Sequence, residues 1–428
     1  MEIYVLNPDL ERVGLIDAYK SLIWANRYDE LGDCELYVKA TQENLDLLQI
    51  GYYLMREDDE MICRIRKREL TTDVENGDYL IATGEDAKGL IDQRIVNSLF
   101  ITKRTAYYFI TQMVTKFCIN AGAGKSFVKS NGDPLLAISA TTGSWDGCDI
   151  TASWENVGEK TREVCDQFGY GYKVFFDEAN SILKFKVYKG TDRTANVVFS
   201  DQFENLASSD YVDDAYEMGN VLRVCGEGQG TSRVTIEMGN AEGIDRYEVY
   251  VDARDVSRTM TGAELKENYA GEVAQDGSGG YYWKVFFLNI PIYTAEQLAE
   301  LRITHPGGAI ITYSYKQYYQ LANANVATLP SSTLGDNDSV DVNDLIYLPF
   351  LYQRGAEKLQ EYGRKKVFTG SVVPDVTFVY KQDYFVGDVV TVINSLGISA
   401  QARIVEIIEV DDETGYRLEP KFEYRSVE

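Results

Sequence analysis

Residues able to carry chemistry are few and poorly arranged. His305 is the only histidine among 428 residues, so a His-ligated metal cluster, a His-Glu-x-x-His metalloprotease and a zinc amidase with several His ligands are excluded by count. A Ser-His-Asp or Cys-His site would have to use His305, which precedes Pro306-Gly307-Gly308 and reads as a turn residue. Gly124-Lys125-Ser126 imitates the end of a phosphate-binding loop, but Ile119 stands where the first glycine is required and a helix precedes it. Asp336, Asp338 and Asp341 crowd one loop, yet Val340 takes the third ligand position of a calcium-binding EF-hand and Tyr347 the place of its final Glu. A solvated acidic turn is the expectation there. Paired carboxylates for glycan hydrolysis are always available among 67 acidic residues, and nothing selects one pair. The sequence thus singles out no catalytic, cofactor-binding or metal-ligating residue, and a non-enzymatic protein without cofactors is expected.

Composition narrows the classes further. Acidic residues outnumber the 42 basic ones, giving a net charge of −25, which repels nucleic acid and anionic membranes. No specific nucleic-acid binding is expected, although an acidic surface facing DNA serves as a non-stick wall. The six cysteines, Cys34, Cys63, Cys118, Cys148, Cys165 and Cys225, form no Cys-x-x-Cys pair and read as reduced, mostly buried thiols of a chain folded in a cytoplasm. Met1-Glu2-Ile3-Tyr4-Val5 lacks the basic and apolar regions of a signal peptide, and no apolar run of about 20 residues offers a membrane anchor. A hydrophobic fraction of 45% with 31 tyrosines is that of a folded protein, with length enough for roughly three domains. Tyr313, Tyr315, Tyr318 and Tyr319 suit a subunit interface, a core or a sugar-stacking surface, in that order.

The elements that would position such residues are mostly short strands. Met1–Leu6, Leu22–Trp24, Cys34–Val38, Tyr52–Met55, Met61–Ile65 and Asp78–Thr83 read as strands at hairpin spacing, with a short helix capped by Thr41 and stopped by Gly51. From about 88 to 190 the period becomes mixed. Phe109, Met113 and Phe117 share a helical stripe, a second helix begins at Ser153 and ends at Gly169, and a hairpin turns at Asn180. Further on, Asp276-Gly277-Ser278-Gly279-Gly280 reads as a flexible linker, Thr294 with Gln297 as a capping box, and about 343–366 as a helix kinked or started by Pro349. Strands Val389–Ile393, Arg403–Val410 and Tyr416–Phe422 close the chain as a meander.

Two phrases repeat: Gly190-Thr191-Asp192-Arg193 and Gly243-Ile244-Asp245-Arg246, each leading into a strand. Glycine supplies the conformational freedom of a tight turn and the aspartate can accept from its N–H groups, so Asp192, Arg193, Asp245 and Arg246 are read as structural turn residues. The repetition points to two related β-rich modules. The expected fold is β-rich α+β and multidomain, with two related small β-barrels, each interrupted by an inserted mixed α/β domain. The expected boundaries are 1–88 plus 190–225 for the first barrel, with 89–189 inserted, and 226–256 plus 380–428 for the second, with 257–379 inserted.

Ser21-Leu22-Ile23-Trp24, Arg27-Tyr28, Leu31 to Leu36, Gly190 to Thr194, Phe203-Glu204-Asn205-Leu206, Gly243 to Asp255, Tyr384 to Val392 and Ala402-Arg403-Ile404 resemble, in order and spacing, the tail hub or tail-associated proteins of long-tailed bacteriophages. The resemblance covers essentially the whole chain. It implies a virion protein of the tail tip or baseplate, made in the host cytoplasm. It further implies a homotrimer in which two barrels per subunit give a pseudo-hexameric ring around a DNA passage. The implied partners are the tail tube, the distal tail protein, the tape measure protein and a central spike or receptor-binding proteins. Many relatives continue into a hydrolase; this chain stops at Glu428, just after the final strands, so hydrolysis is not carried over. A cell-wall or glycan hydrolase with an unidentified carboxylate pair, and a carbohydrate-binding tail adhesin, are the alternatives.

Overall fold

A computed structural model describes residues 1–73, 77–122, 124–230, 233–239, 241–288, 301–304, 310–313, 321–322, 324–373 and 377–426. Its frame is a 13-stranded sheet. The main path runs Leu206–Asp214, Arg364–Val372, Gly415–Ser426, Ser399–Asp412, Ser21–Arg27, Asp33–Lys39, Gly77–Asp86, Ile62–Asp73, Tyr53–Arg56, Ile3–Leu6 and Arg12–Ile16, with Val389–Ile393 and Val198–Ser200 attached beside Ser399–Asp412. The strands form where side chains alternate. In Asp33–Lys39, Cys34, Leu36 and Val38 are buried while the residues between them are not, the period-2 pattern of a half-buried strand.

Two parts of this sheet repeat one another in register. The hairpin Ile62–Asp73 with Gly77–Asp86 pairs Arg64 with Glu85, Ile65 with Gly84, Lys67 with Thr83 and Asp73 with Gly77, skipping Arg66 as a bulge. The hairpin Ser399–Asp412 with Gly415–Ser426 pairs Arg403 with Glu423, Ile404 with Phe422, Glu406 with Lys421 and Asp412 with Gly415, skipping Val405 in the same place. Both turns return through a left-handed glycine, Gly77 at φ +85° and Gly415 at φ +114°, a conformation costly for other residues. The flanking strands follow suit. Tyr53 opposes Arg64 as Val389 opposes Arg403, Val38 opposes Leu80 as Val372 opposes Leu418, and Ser21 opposes Tyr37 as Ser208 opposes Ser371. Ser21–Arg27 therefore corresponds to 208–214. Each module has its own core, one built on Trp24, Leu36, Cys63 and Leu80, the other on Phe199, Phe368, Val390 and Phe422.

The modules are joined edge to edge. Ser21–Arg27 of the first runs antiparallel to 406–412 of the second. This differs from the expected partition: 380–428 is hydrogen-bonded to Ser21–Arg27, Arg364–Val372 and Val198–Ser200, and not, among the described strands, to 226–256. Val221–Cys225 and Glu248–Asp252 lie instead in a separate five-stranded sheet with Thr235–Met238, Leu301–Thr304 and Ile310–Tyr313. Alternation reveals a strand but not its partner, and these partners lie hundreds of residues apart.

Between the two modules in the sequence lie helix Ala106–Val114, continued by a π-helical turn Thr115–Ile119, and helix Val157–Phe168. The second starts at Val157 rather than Ser153, because Asn156 Oδ1 accepts from Gly158 N at 2.8 Å and Glu159 N at 3.2 Å, capping two otherwise orphaned donors. Gly169 ends it at φ +64°. Within the second module's span, helix Asp344–Glu361 runs through Pro349 and buries Ile346, Tyr347, Phe350 and Leu351. The glycine-rich stretch 276–280 is no linker. It is the turn between Gly271–Gln275 and Tyr281–Val285, where Asp276 Oδ1 accepts from the N–H groups of Ser278 and Gly280, each at 2.9 Å. The capping box at Thr294 and Gln297, His305 and Tyr315, Tyr318 and Tyr319 lie outside the described residues, as does the side chain of Tyr313.

Candidate functional site

The first Gly-x-Asp-Arg phrase packs against the segment preceding Val389–Ile393. Asp388, nearly buried, accepts from Thr191 N at 2.7 Å, from Phe385 N at 3.1 Å and from Arg193 Nε at 2.5 Å. Gly190 is required by proximity rather than by φ, since a Cβ there would stand 1.7 Å from the Gly387 carbonyl oxygen. Asp192 is exposed and accepts from Thr194 N at 3.0 Å and Thr194 Oγ1 at 2.8 Å. These bonds hold its carboxyl below the ordinary value. Tyr28 locks the same junction from beneath: its hydroxyl accepts from Gly190 N at 3.0 Å and donates to Gly169 O at 3.0 Å, while its ring meets Tyr188 edge-on at 5.3 Å. A Cβ on Gly171 or Gly387 would strike that ring at 2.2 or 2.3 Å.

The second phrase behaves differently. Gly243 is left-handed at φ +64°, and Arg246 reaches Glu248 Oε1 at 2.6 Å and Glu237 Oε1 at 3.0 Å. Asn220 Nδ2 donates to the Asp245 carbonyl at 2.7 Å, and the Asp245 carboxylate binds no turn N–H among the described residues. Both arginines thus reach carboxylates, but only Asp192 bonds its turn. The two phrases lie in different sheets and do not mark the repeat.

Beside the first turn, charged groups meet where the two modules join. Buried Arg56 donates to Asp58 Oδ2 at 2.5 Å and to Glu409 Oε2 at 3.0 Å. Lys381 Nζ lies 2.7 Å from Asp59 Oδ2 and 2.9 Å from Glu409 Oε1, and the Tyr416 hydroxyl donates to Glu409 at 2.8 Å. Burial alone would raise Glu409, but Arg56 and Lys381 hold its carboxyl below the ordinary range. A cavity of about 510 Å³ opens beside the cluster, lined among others by Asp59, Lys173, Tyr188, Arg193, Tyr380 and Asp388. Two cations, Arg56 and Lys381, are shared among the three carboxylates Asp58, Asp59 and Glu409, so each charge has an opposite neighbour, as in a structural joint. Sequence reading missed it because its members come from three segments, 56–59, 381 and 409–416, with no local motif; of the lining residues, Arg193 and the stretch Phe385–Asp388 were singled out, for other reasons.

A second buried network ties the helix Val157–Phe168 to Asp344–Glu361. Lys160 Nζ lies 3.1 Å from Glu163 Oε2 and 3.5 Å from Glu357 Oε2. Arg354 Nε lies 3.4 Å from Glu357, and its Nη1 and Nη2 clamp Asp255 at 3.0 and 2.7 Å. Burial pushes Glu357 up to about 7 against the pull of Lys160 and Arg354.

The motifs that imitate chemistry have other uses. Lys125 offers its carbonyl to Arg94 Nε at 2.8 Å, in a loop that follows a helical turn. Asp336 pairs with Lys266 at 2.8 Å, Asp338 accepts from Gly335 N at 2.7 Å and Asp341 from Thr259 Oγ1 at 2.9 Å, so Asp338 holds the loop's own turn and the other two tie it to 259–266. Among the described residues no group of His, Cys, Asp and Glu is placed to hold a metal. None of the six cysteines forms a disulfide within the chain, and five are buried. No helix among the described residues is long and apolar enough to cross a membrane.

This architecture is that of phage tail proteins. The tail protein from Neisseria meningitidis MC58 superposes with a TM-score of 0.52 at 9% identity, covering 99% of this chain and 96% of that one. The 43 kDa tail protein of prophage MuSo2 from Shewanella oneidensis gives 0.50 at 10% identity, covering 99% and 98%. At such identities the likeness establishes the fold alone. No curated protein matches the sequence. The family profile of the Siphovirus ReqiPepy6 Gp37-like proteins matches residues 2–422, and the chain belongs to that family of bacteriophage tail proteins.

Proposed function

We propose that this chain is the structural hub of a phage tail tip or baseplate: three copies form a ring that adapts the six-fold tail tube to the central tip and leaves a passage for DNA. The observation that carries this reading is the repeat in register of 21–86 with 208–214 and 364–426. Three chains offer six near-equivalent modules, the number a six-fold tube presents. Each module closes with its neighbouring strands as a small barrel; the segment 215–363 is inserted into the second, and 87–197 connects the two. The partners are the tail tube, the distal tail protein, the tape measure protein and a central spike or receptor-binding proteins. The role is structural, without catalysis; the charged side chains in the clusters above face one another as ion pairs. Light scattering combined with negative-stain imaging tests it. A ring-shaped trimer is expected. A chain that stays monomeric at high concentration and cleaves peptidoglycan would overturn the hub.

A further inference from the structure

The charged joint between the modules holds a lysine, two buried carboxyl groups and a backbone donor in an arrangement that ion pairing does not use up. Lys381 Nζ lies 2.7 Å from Asp59 Oδ2 and 2.9 Å from Glu409 Oε1, and the side chains of Asp59 and Glu409 are only 2% and 4% exposed. Asp59 Oδ1 accepts from Met61 N at 2.8 Å. Its Oδ2 is buried and has no hydrogen bond, because the nearby Nζ lies off the direction one requires. Lys381 is held at φ +67°, a left-handed conformation costly for a residue with a side chain, and such strain clusters at functional sites.

The environments of the two carboxyl groups differ. Burial raises Asp59 above the ordinary value against the pull of Lys381 and Arg56, which favours the neutral acid. Glu409, which burial would also raise, is held below its ordinary value by Arg56 and Lys381, with Arg56 and Tyr416 donating to its other oxygen. A pair split in this way supplies an electrophile and a base. Asp58 does not compete, being clamped by Arg56 Nε and Nη2 and open to solvent.

We propose that Lys381 and Asp59 condense to a side-chain amide, an isopeptide bond that staples the first module to the second. Glu409 takes a proton from the Lys381 ammonium, and the free amine attacks Asp59 Cγ while Met61 N–H stabilises the negative charge that develops on Oδ1. The Nζ–Cγ bond forms and the Cγ–Oδ2 bond breaks. Oδ2 leaves as water, with the proton it carried and a second one passed on by Glu409, which takes another from the nitrogen in exchange. One water is released, nothing is oxidised or reduced, and the proton first taken from the ammonium stays on Glu409. Well-oriented neighbours reach effective concentrations on the order of 10⁵ M or more, and the adjoining cavity, lined by Asp59 and Lys381, gives the water a way out. The reaction happens once per chain, without turnover, and so accords with a structural role. It does not depend on the copy number of the assembly.

Intact mass spectrometry of the folded full chain tests the bond. The parent should be one water lighter than its sequence, and digestion should give a peptide containing Asp59 joined to one containing Lys381. Asp59→Ala and Lys381→Arg should each keep the full mass. Asp59→Asn should release ammonia in place of water and reach the same final mass as the parent. Glu409→Gln keeps both partners but lacks the base, and should slow bridging about a hundredfold, leaving the chain largely at full mass with an unchanged circular dichroism spectrum. If that variant fails to fold, the parent mass and the peptide map decide alone. A folded parent of full mass would overturn the proposal and leave Lys381 and Asp59 as an ion pair. Loss of water that persists in Lys381→Arg would place the dehydration elsewhere and overturn it as well.

Discussion

Arg27 and Glu406 face one another across the strand pair that joins the two modules, Nε to Oε1 at 2.6 Å, and Arg27 Nη1 also donates to Asp33 Oδ1 and Leu31 O, both at 2.5 Å. One side chain therefore fixes the joint and the turn beside it. The guanidinium loses solvation by burial, yet the two carboxylates keep it more firmly protonated than usual. Arg27→Met should cost about 1 kcal/mol, the pair being partly solvated, without changing the far-UV circular dichroism spectrum.

Asp388 gives a larger effect because it is nearly buried and accepts three hydrogen bonds. Asp388→Ala leaves Thr191 N, Phe385 N and Arg193 unsatisfied, and should destabilise by about 3 kcal/mol. Chemical denaturation measures it. A loss no greater than that of a surface substitution would mean the turn is held by other contacts.

Glycine substitutions separate close approach from conformational freedom. Gly190→Ala places a methyl group 1.7 Å from the Gly387 carbonyl, which forces the two segments apart and should cost more than about 3 kcal/mol or abolish soluble expression. Gly277→Ala, with no atom within 4 Å and no positive φ, should stay within about 0.5 kcal/mol of the parent.

Of the two repeated aspartates, Asp192 bonds its turn and Asp245 does not. Asp192→Ala should lower the melting temperature measurably, and Asp245→Ala should leave it unchanged. Equal losses in a thermal-shift assay would restore the symmetric reading of the two phrases. Loss of a measurable hydrolysis with assembly intact would make the site enzymatic.

How much of this was legible in the sequence follows from the range of the interactions. The alternation in Cys34–Val38, the cap at Thr41 and the stop at Gly169 are local, and each stands where the sequence placed it. A duplication was expected from the two Gly-x-Asp-Arg phrases, which do not carry the register repeat. Gly190–Arg193 and Gly243–Arg246 match as text yet serve different sheets, while the hairpins at 62–86 and 401–424 share register, bulge and turn glycine with few identities, such as Arg64-Ile65 with Arg403-Ile404. Backbone pairing conserves spacing, not side chains. The buried clusters at Glu409 and Glu357 were illegible because each draws its charges from distant segments.

The network between the two helices makes a pH prediction. Glu357 has an ordinary value near 4.5 and is pushed up by burial to about 7, so between those values the folded chain keeps a proton that the unfolded chain has released. By linkage, stability from this group is fully present below about 4.5 and is lost as pH rises through about 7. Glu163, which burial would raise but Lys160 and Arg354 pull below its ordinary value, acts oppositely: its contribution is present above about 4.5 and lost as pH falls below that. Of these two glutamates only Glu357 varies between pH 5 and 7, and Glu155, Asp59 and Asp86, also raised by burial, act in the same direction. Urea midpoints should therefore fall across that window in the parent chain and fall less steeply in Glu357→Gln, which stays neutral throughout and leaves Lys160 paired with Glu163. An unchanged slope in the variant would assign the titration to another group.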